Sequence, residues 1–291
     1  MKKTQIVIHV MPSEIEDFTE TINHLYRASQ YLKSKDWVSI YATLNLSPEL
    51  INWENSLLDS KFFIDKFNLL KTKCEWAQEV KFELIEDNSI LGTTSQKRKA
   101  ITQNYDQYIF LDCDIAFPEM LLKYMLETSY QVEGKYFITP QTVKLWDNTW
   151  DVLVHKNFRE KKYGYEKTHP PHQTYSQIVE EANIKISPYF KFGCGWFTLY
   201  SKEILNFIGI PNWLGHYGPE DTFLMLASQN AITQNYDIKQ YIIEGCYVSE
   251  NYVNREFPYK EKLSVNNLKQ LFRDEAESHF YNELNKFKQS L

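Results

Sequence analysis

The chain is poor in the residues that mark special architectures. It holds 9 Gly and 10 Pro in 291 residues, which excludes collagen-like and low-complexity classes. Its four cysteines, Cys74, Cys113, Cys194 and Cys246, stand far apart, and no C-x-x-C suggests a zinc site or a redox dithiol. A chain this long buries enough surface to need no covalent staple, so they read as reduced, mostly buried thiols of a cytoplasmic protein. Cations are outnumbered, 32 Lys and Arg against 38 Asp and Glu, for a net charge of −6. Without a cationic surplus, nucleic acid is excluded as a partner of the whole chain. No run approaches the roughly 18 apolar residues of a membrane span. The apolar stretch 6–10 is too short for a signal peptide and stops at Pro12. Aromatics are plentiful, with 20 Tyr, 18 Phe and 7 Trp, and an apolar share of 43% argues for a folded core.

The first half alternates strand and helix patterns. Short β-branched or aromatic runs at 5–10, 37–44, 80–85 and 107–111 predict strands. Between them, Ile15, Phe18, Ile22, Leu25 and Leu32 recur at helical spacing, with Ser13 and Glu16 spaced as a capping box. Further helices are expected at 56–70 and 92–104. This alternation predicts an open, mostly parallel α/β sheet. After residue 115 the pattern is mixed: a helix opened by Pro118, strands at 135–139, 192–200 and 238–247, and a helix from Gly218. The polar, aromatic stretch 144–188 reads as a binding loop or lid. In the tail, Leu268, Leu271, Phe272, Ala276, Phe280, Leu284 and Phe287 predict a helix that packs back on the core. The expected organisation is an α/β half at 1–115, a second half of the same domain at 116–260, and a helical tail at 261–291.

The densest chemical signal is Tyr108-Ile109-Phe110-Leu111-Asp112-Cys113-Asp114. An apolar strand ends in two carboxylates at i and i+2, which strand alternation would aim the same way. Ligands of open α/β sheets sit beyond the carboxyl ends of the strands. Paired carboxylates there suit a hard divalent cation that keeps positions open for phosphate oxygens.

This D-x-D resembles the motif of GT-A nucleotide-sugar glycosyltransferases. The later Gly193-Cys194-Gly195-Trp196, Ile208-Gly209 and Gly218-Pro219-Glu220-Asp221 are similar, in order and separation, to the motifs of inverting family 2 enzymes. The resemblance implies a GT-A fold, a Rossmann-like nucleotide-binding half with a mostly parallel sheet fused to a mixed acceptor-binding half. It implies a metal-assisted, inverting transfer of sugar from a nucleoside-diphosphate sugar to a glycan, glycolipid-linked or protein hydroxyl. Asp114 would bind Mn²⁺ or Mg²⁺, and Asp112 would contact the metal or the donor. Asp221 would be the general base and Glu220 would orient the acceptor. His9, Val10, Pro12, Asn45, Lys97, Arg98, Asp112 and Cys113 would line the donor side; Trp196, Trp213, His216 and Tyr217 the acceptor side.

Two departures stand out. The family's D-D-G-S after the second strand is replaced by 43–47, Thr-Leu-Asn-Leu-Ser, and its downstream metal-binding His is missing, leaving Glu250 as a substitute oxygen ligand. The latter favours the alternative of a non-catalytic nucleotide-sugar or glycan-binding protein on the same fold. A dehalogenase-like phosphatase fits less well, because Ala116 stands where that family has Thr, and a nucleotidyltransferase would begin with a Gly-rich phosphate loop.

Overall fold

The computed structural model describes residues 2–34, 36–51, 53, 59–146, 149–152, 183–186, 195–250 and 268–291, the side chains of 141–146, 149–152, 183–186, 244, 245, 247, 249 and 250 excepted. Strands β1 (Lys3–Val10), β2 (Trp37–Asn45), β3 (Glu79–Ile85) and β4 (Gln107–Leu111) are joined through helices α1 (Ile15–Ser29), α2 (Ser60–Thr72) and α3 (Thr93–Ala100). The second half contributes β5 (Ile115–Ala116), α4 (Leu121–Ser129), β6 (Lys135–Trp146), β7 (Thr149–Val152), β8 (Asn183–Ile186), β9 (Phe197–Ser201), α5 (Lys202–Ile208), α6 (Glu220–Thr233), β10 (Ile238–Glu250) and α7 (Leu268–Ser290).

The sheet runs in the order β3-β2-β1-β4-β9-β6-β10-β5. β1 pairs in parallel with β2 and β4, β2 with β3, and β6 with β10, while β9 lies antiparallel between β4 and β6. This is the expected mixed α/β architecture, a ten-stranded sheet whose seven central strands, β3 to β10 in that order, are mostly parallel and pass without a break from the first half into the second.

Both faces of the sheet are covered, which is why its inner strands read as continuous apolar runs. Side chains alternate across each strand. Ile6 and Ile8 of β1 and Ile109 and Leu111 of β4 join one cluster, with Phe18, Ile22 and Leu25 of α1 and Phe63 and Phe67 of α2. Val7, Tyr108 and Phe110 point the other way, into a cluster with Leu205 of α5, Phe223 of α6 and Phe280 of α7.

Several local expectations are corrected. The capping box at Ser13 does not form; residues Pro12–Glu14 make a 3-10 turn, and the Glu14 carboxylate accepts the Met11 N–H at 3.1 Å. The helix expected from Pro118 begins at Leu121, and β6 runs seven residues past its predicted end. The stretch expected to be irregular, 144–188, holds β7 and β8. Helix α5 is capped by the Ser201 hydroxyl, which accepts the Ile204 N–H at 3.3 Å. Its seven residues had no distinct periodic signal. Cys74, Cys113 and Cys246 are free and buried, while Cys194 lies outside the described residues. Among the described residues no helix is long and apolar enough to cross a membrane.

Candidate active site

Strand β4 ends at Leu111, so Asp112, Cys113 and Asp114 form a turn into β5 and not the end of a strand. The Asp112 N–H donates to the Trp196 carbonyl at 2.9 Å, tying the turn to the approach of β9. On the other side the Thr21 hydroxyl of α1 reaches the Cys113 carbonyl at 2.8 Å and accepts the Ile115 N–H at 3.0 Å. In a turn, strand alternation no longer aims both carboxylates together. Asp112 lines the cavity described below, and Asp114 is not among the residues lining it. The β10–β5 register sets Glu250 opposite Ile115, beside Asp114; the Glu250 side chain lies outside the described residues.

A cavity of about 500 Å³ opens beyond this end of the sheet. Lys97 of α3, Asp112, Glu220 and Asp221 of α6, Trp196 and Tyr217 are among the residues that line it. Glu220 and Lys97, both nearly inaccessible, form an ion pair at 2.5 Å, and the Thr94 hydroxyl donates to the second Glu220 oxygen at 2.7 Å. Glu220 is therefore held within the protein. Asp221 accepts the Gly195 N–H at 3.1 Å and the Thr222 N–H at 2.6 Å. Gly195 is close-packed here, since a Cβ on it would lie 3.1 Å from the Asp221 Cβ.

The electrostatics follow from enclosure. Burial pushes the Asp112 carboxyl up to about 7, with Lys97 opposing the shift and Glu220, Asp221 and Glu14 adding to it. Burial, then Glu220, also raises Asp221, against Lys97 and its two N–H donors. Lys97 is burdened by burial but held above its ordinary value by Glu220 and Asp112.

The residues expected on the donor side divide. Lys97 and Asp112 face the cavity; His9, Val10, Pro12 and Asn45 are buried and do not line it. His9 Nδ1 lies 2.9 Å from the Thr43 hydroxyl, and burial, then Lys269, holds its ring near a pKa of about 3, so it is neutral. Asn45 is spent on the Ile90 carbonyl at 3.0 Å and the Ser47 N–H at 2.9 Å. The Cys113 thiol donates to Glu14 at 3.3 Å. Arg98 donates to the carbonyls of Ile210, Pro211 and Gly215, fastening the loop ahead of α6 and not facing the cavity.

The acceptor-side residues divide too. Trp196 and Tyr217 line the cavity. Trp213 packs edge-on against Phe223 and Phe280, a core contact. His216 accepts the Leu91 N–H at Nδ1 at 3.2 Å, with the Ser95 hydroxyl 3.0 Å from the same nitrogen, and its ring lies tilted 5.0 Å from that of Phe272, so it is structural. Gly92 explains part of this packing: a Cβ there would meet the His216 carbonyl and the Tyr217 ring at 2.4 Å. Sequence reasoning missed Lys269, Gln270 and Arg273 of α7, which also line the cavity. The apolar stripe predicts that the tail docks, but it carries no mark of which polar positions reach the cavity.

Among the described residues, no three His, Cys, Asp or Glu side chains converge as a metal cage. The cavity carboxylate of Asp112, its charged form destabilised by burial, does suit the sparser mode in which one or two carboxylates and substrate phosphates hold Mg²⁺ or Mn²⁺.

No protein-family model matches the chain, and no curated protein matches it. Among solved structures it is similar to S. aureus TarS 1–349, at 14% identity and a TM-score of 0.47 over 84% of this chain and 60% of that one. It is similar to the same protein in complex with UDP-GlcNAc, at 13% identity and a TM-score of 0.48 over 89% and 60%. The complex with UDP gives 13% identity and 0.48 over 89% and 68%. The chain thus spans about 60% of the first of these structures.

Proposed function

We propose that the protein is a glycosyltransferase that moves a sugar from a nucleoside-diphosphate sugar to an acceptor hydroxyl with inversion at the anomeric carbon. One observation carries the reading: Asp112, at the carboxyl end of β4, and Asp221, at the start of α6, face the same cavity. The ordered D-x-D, glycine-strand and E-D motifs support it.

In this reading Asp221 takes the proton of the acceptor hydroxyl. The acceptor oxygen bonds to the anomeric carbon, and the bond from that carbon to the phosphate oxygen breaks, its electron pair leaving with the diphosphate. Burial and Glu220 raise the Asp221 pKa, which makes it a better proton acceptor, and general bases contribute about 10²–10⁴-fold. The Gly195 and Thr222 N–H groups fix its direction. Glu220 positions rather than reacts, since Lys97 and Thr94 engage both its oxygens. A divalent cation, Mn²⁺ or Mg²⁺, held by Asp112 and the donor's phosphate oxygens, would stabilise the charge on the departing diphosphate.

Asp221→Asn is expected to keep donor affinity and lose turnover about 100-fold or more, measured with a nucleotide-sugar panel. Unchanged turnover removes Asp221 as the base. A second reading, a non-catalytic binder of nucleotide sugars, is favoured by the lack of the family's metal-binding His downstream of Glu220-Asp221. It predicts calorimetric binding with no product after hours of incubation.

A further inference from the structure

Helix α7 reaches the cavity with cations at one end and is anchored by aromatics along its length. Ala276, Phe280 and Leu284 are buried. Phe280 meets Trp213 and Phe223 edge-on, and Phe287 meets Phe207. The Tyr236 hydroxyl donates to the Leu291 carbonyl at 2.9 Å, and the Gln234 amide to the Lys288 carbonyl at 2.9 Å. With the helix so fixed, Lys269 and Arg273, four residues apart and hence on one face, are set at the cavity.

Their charges are not spent. Among the described residues the Lys269 ammonium has no carboxylate partner and lies 4.8 Å over the Tyr217 ring. Arg273 gives only Nε to Glu277, at 2.9 Å, which leaves its two terminal nitrogens for a ligand. Lys97, by contrast, is consumed by Glu220. The Tyr217 hydroxyl, buried beneath Lys269, has no hydrogen-bond partner among the described residues, and buried polar groups seldom stay unmatched. A cavity that carries Asp112 and Asp221 repels a phosphorylated ligand unless cations compensate. Lys269 and Arg273 are the cavity cations still available for that.

We infer that Lys269 and Arg273 hold the diphosphate of the donor, with the Tyr217 hydroxyl as a further donor beneath it, so that α7 is part of the binding machinery. This rests on the reading of the site as a nucleotide-sugar site. It also bears on the missing downstream His: two fixed cations carry part of the charge that a fuller metal cage would otherwise meet.

The test uses the full chain and inorganic pyrophosphate, by titration calorimetry with and without Mn²⁺, and nucleotide-sugar turnover in parallel. Wild type should bind pyrophosphate, more weakly as salt rises. The Lys269→Ala, Arg273→Ala double variant should bind at least tenfold more weakly at an unchanged melting temperature. Lys286→Ala, on the same helix but paired with Glu283 in solvent, should bind as wild type. No pyrophosphate binding by wild type, or wild-type binding by the double variant, overturns the inference. Normal donor KM in the double variant overturns it too, and leaves the transferase reading intact. Loss of pyrophosphate binding in the double variant, with no nucleotide sugar turned over by wild type, upholds the anion site and overturns the transferase reading.

Discussion

Lys97 and Glu220 show how one residue's role is decided by a partner far along the chain. The pair is separated by 123 positions, so nothing local in the sequence links a lysine in a charged run to an acid in the E-D motif. Lys97 sits among Lys97, Arg98 and Lys99, and only Lys99 of the three behaves as a solvated charge, pairing at the surface with Glu83 at 3.1 Å. Lys97 is buried, and Arg98 is spent on backbone carbonyls. Lys97→Met should cost about 3–5 kcal/mol in urea unfolding, because it leaves the Glu220 charge buried alone. Adding Glu220→Gln should recover most of that loss. If the second change deepens the loss, the ion pair is not what Lys97 supplies.

At the scale of elements, length decided what could be read. Strands β1, β2 and β4 and helix α1 were legible because burial on both faces, or a four-turn stripe, imprints a pattern over many positions. Helix α5 and strands β7 and β8 are too short to display a period, and β7 and β8 owe their form to pairing with β6 and β10. The D-x-D was found by composition but misjudged in form, since nothing in Leu111-Asp112-Cys113 says where a strand becomes a turn. For α7, the stripe foretold docking and not the cations beside it. Phe280→Ala is expected to cost about 3–5 kcal/mol and, by loosening the helix, to raise the donor KM more than it lowers kcat. A loss of stability with both kinetic constants intact separates α7 from the site.

For the whole molecule, strand order was implied by alternation in the first half alone; the antiparallel insertion of β9 between β4 and β6 has no local mark. Acid tolerance is also a property of the assembled fold. His24 of α1 bonds through Nδ1 to the Phe117 carbonyl at 2.9 Å, joining the helix to the segment after β5. Burial, then Arg27, lowers its pKa to about 4, whereas the unfolded chain titrates near 6.5. Between those values the unfolded state binds a proton that the folded state refuses, so stability present above pH 6.5 is lost as pH falls toward 4. His24→Gln keeps a donor for Phe117 and is expected to flatten this part of the melting-temperature profile between pH 7 and 4. An equally steep profile in the variant places the acid sensitivity elsewhere.

The pairing of Ile238 with Lys135 spans about a hundred residues of intervening chain. Its entropic penalty must be met before the contact rewards it, which makes this zipper a natural late step in refolding. Until it forms, β6 keeps a bare hydrogen-bonding edge, a template onto which other copies can add strands. Refolding yield should therefore fall with rising protein concentration while the first four strands, already in register, regain their ellipticity.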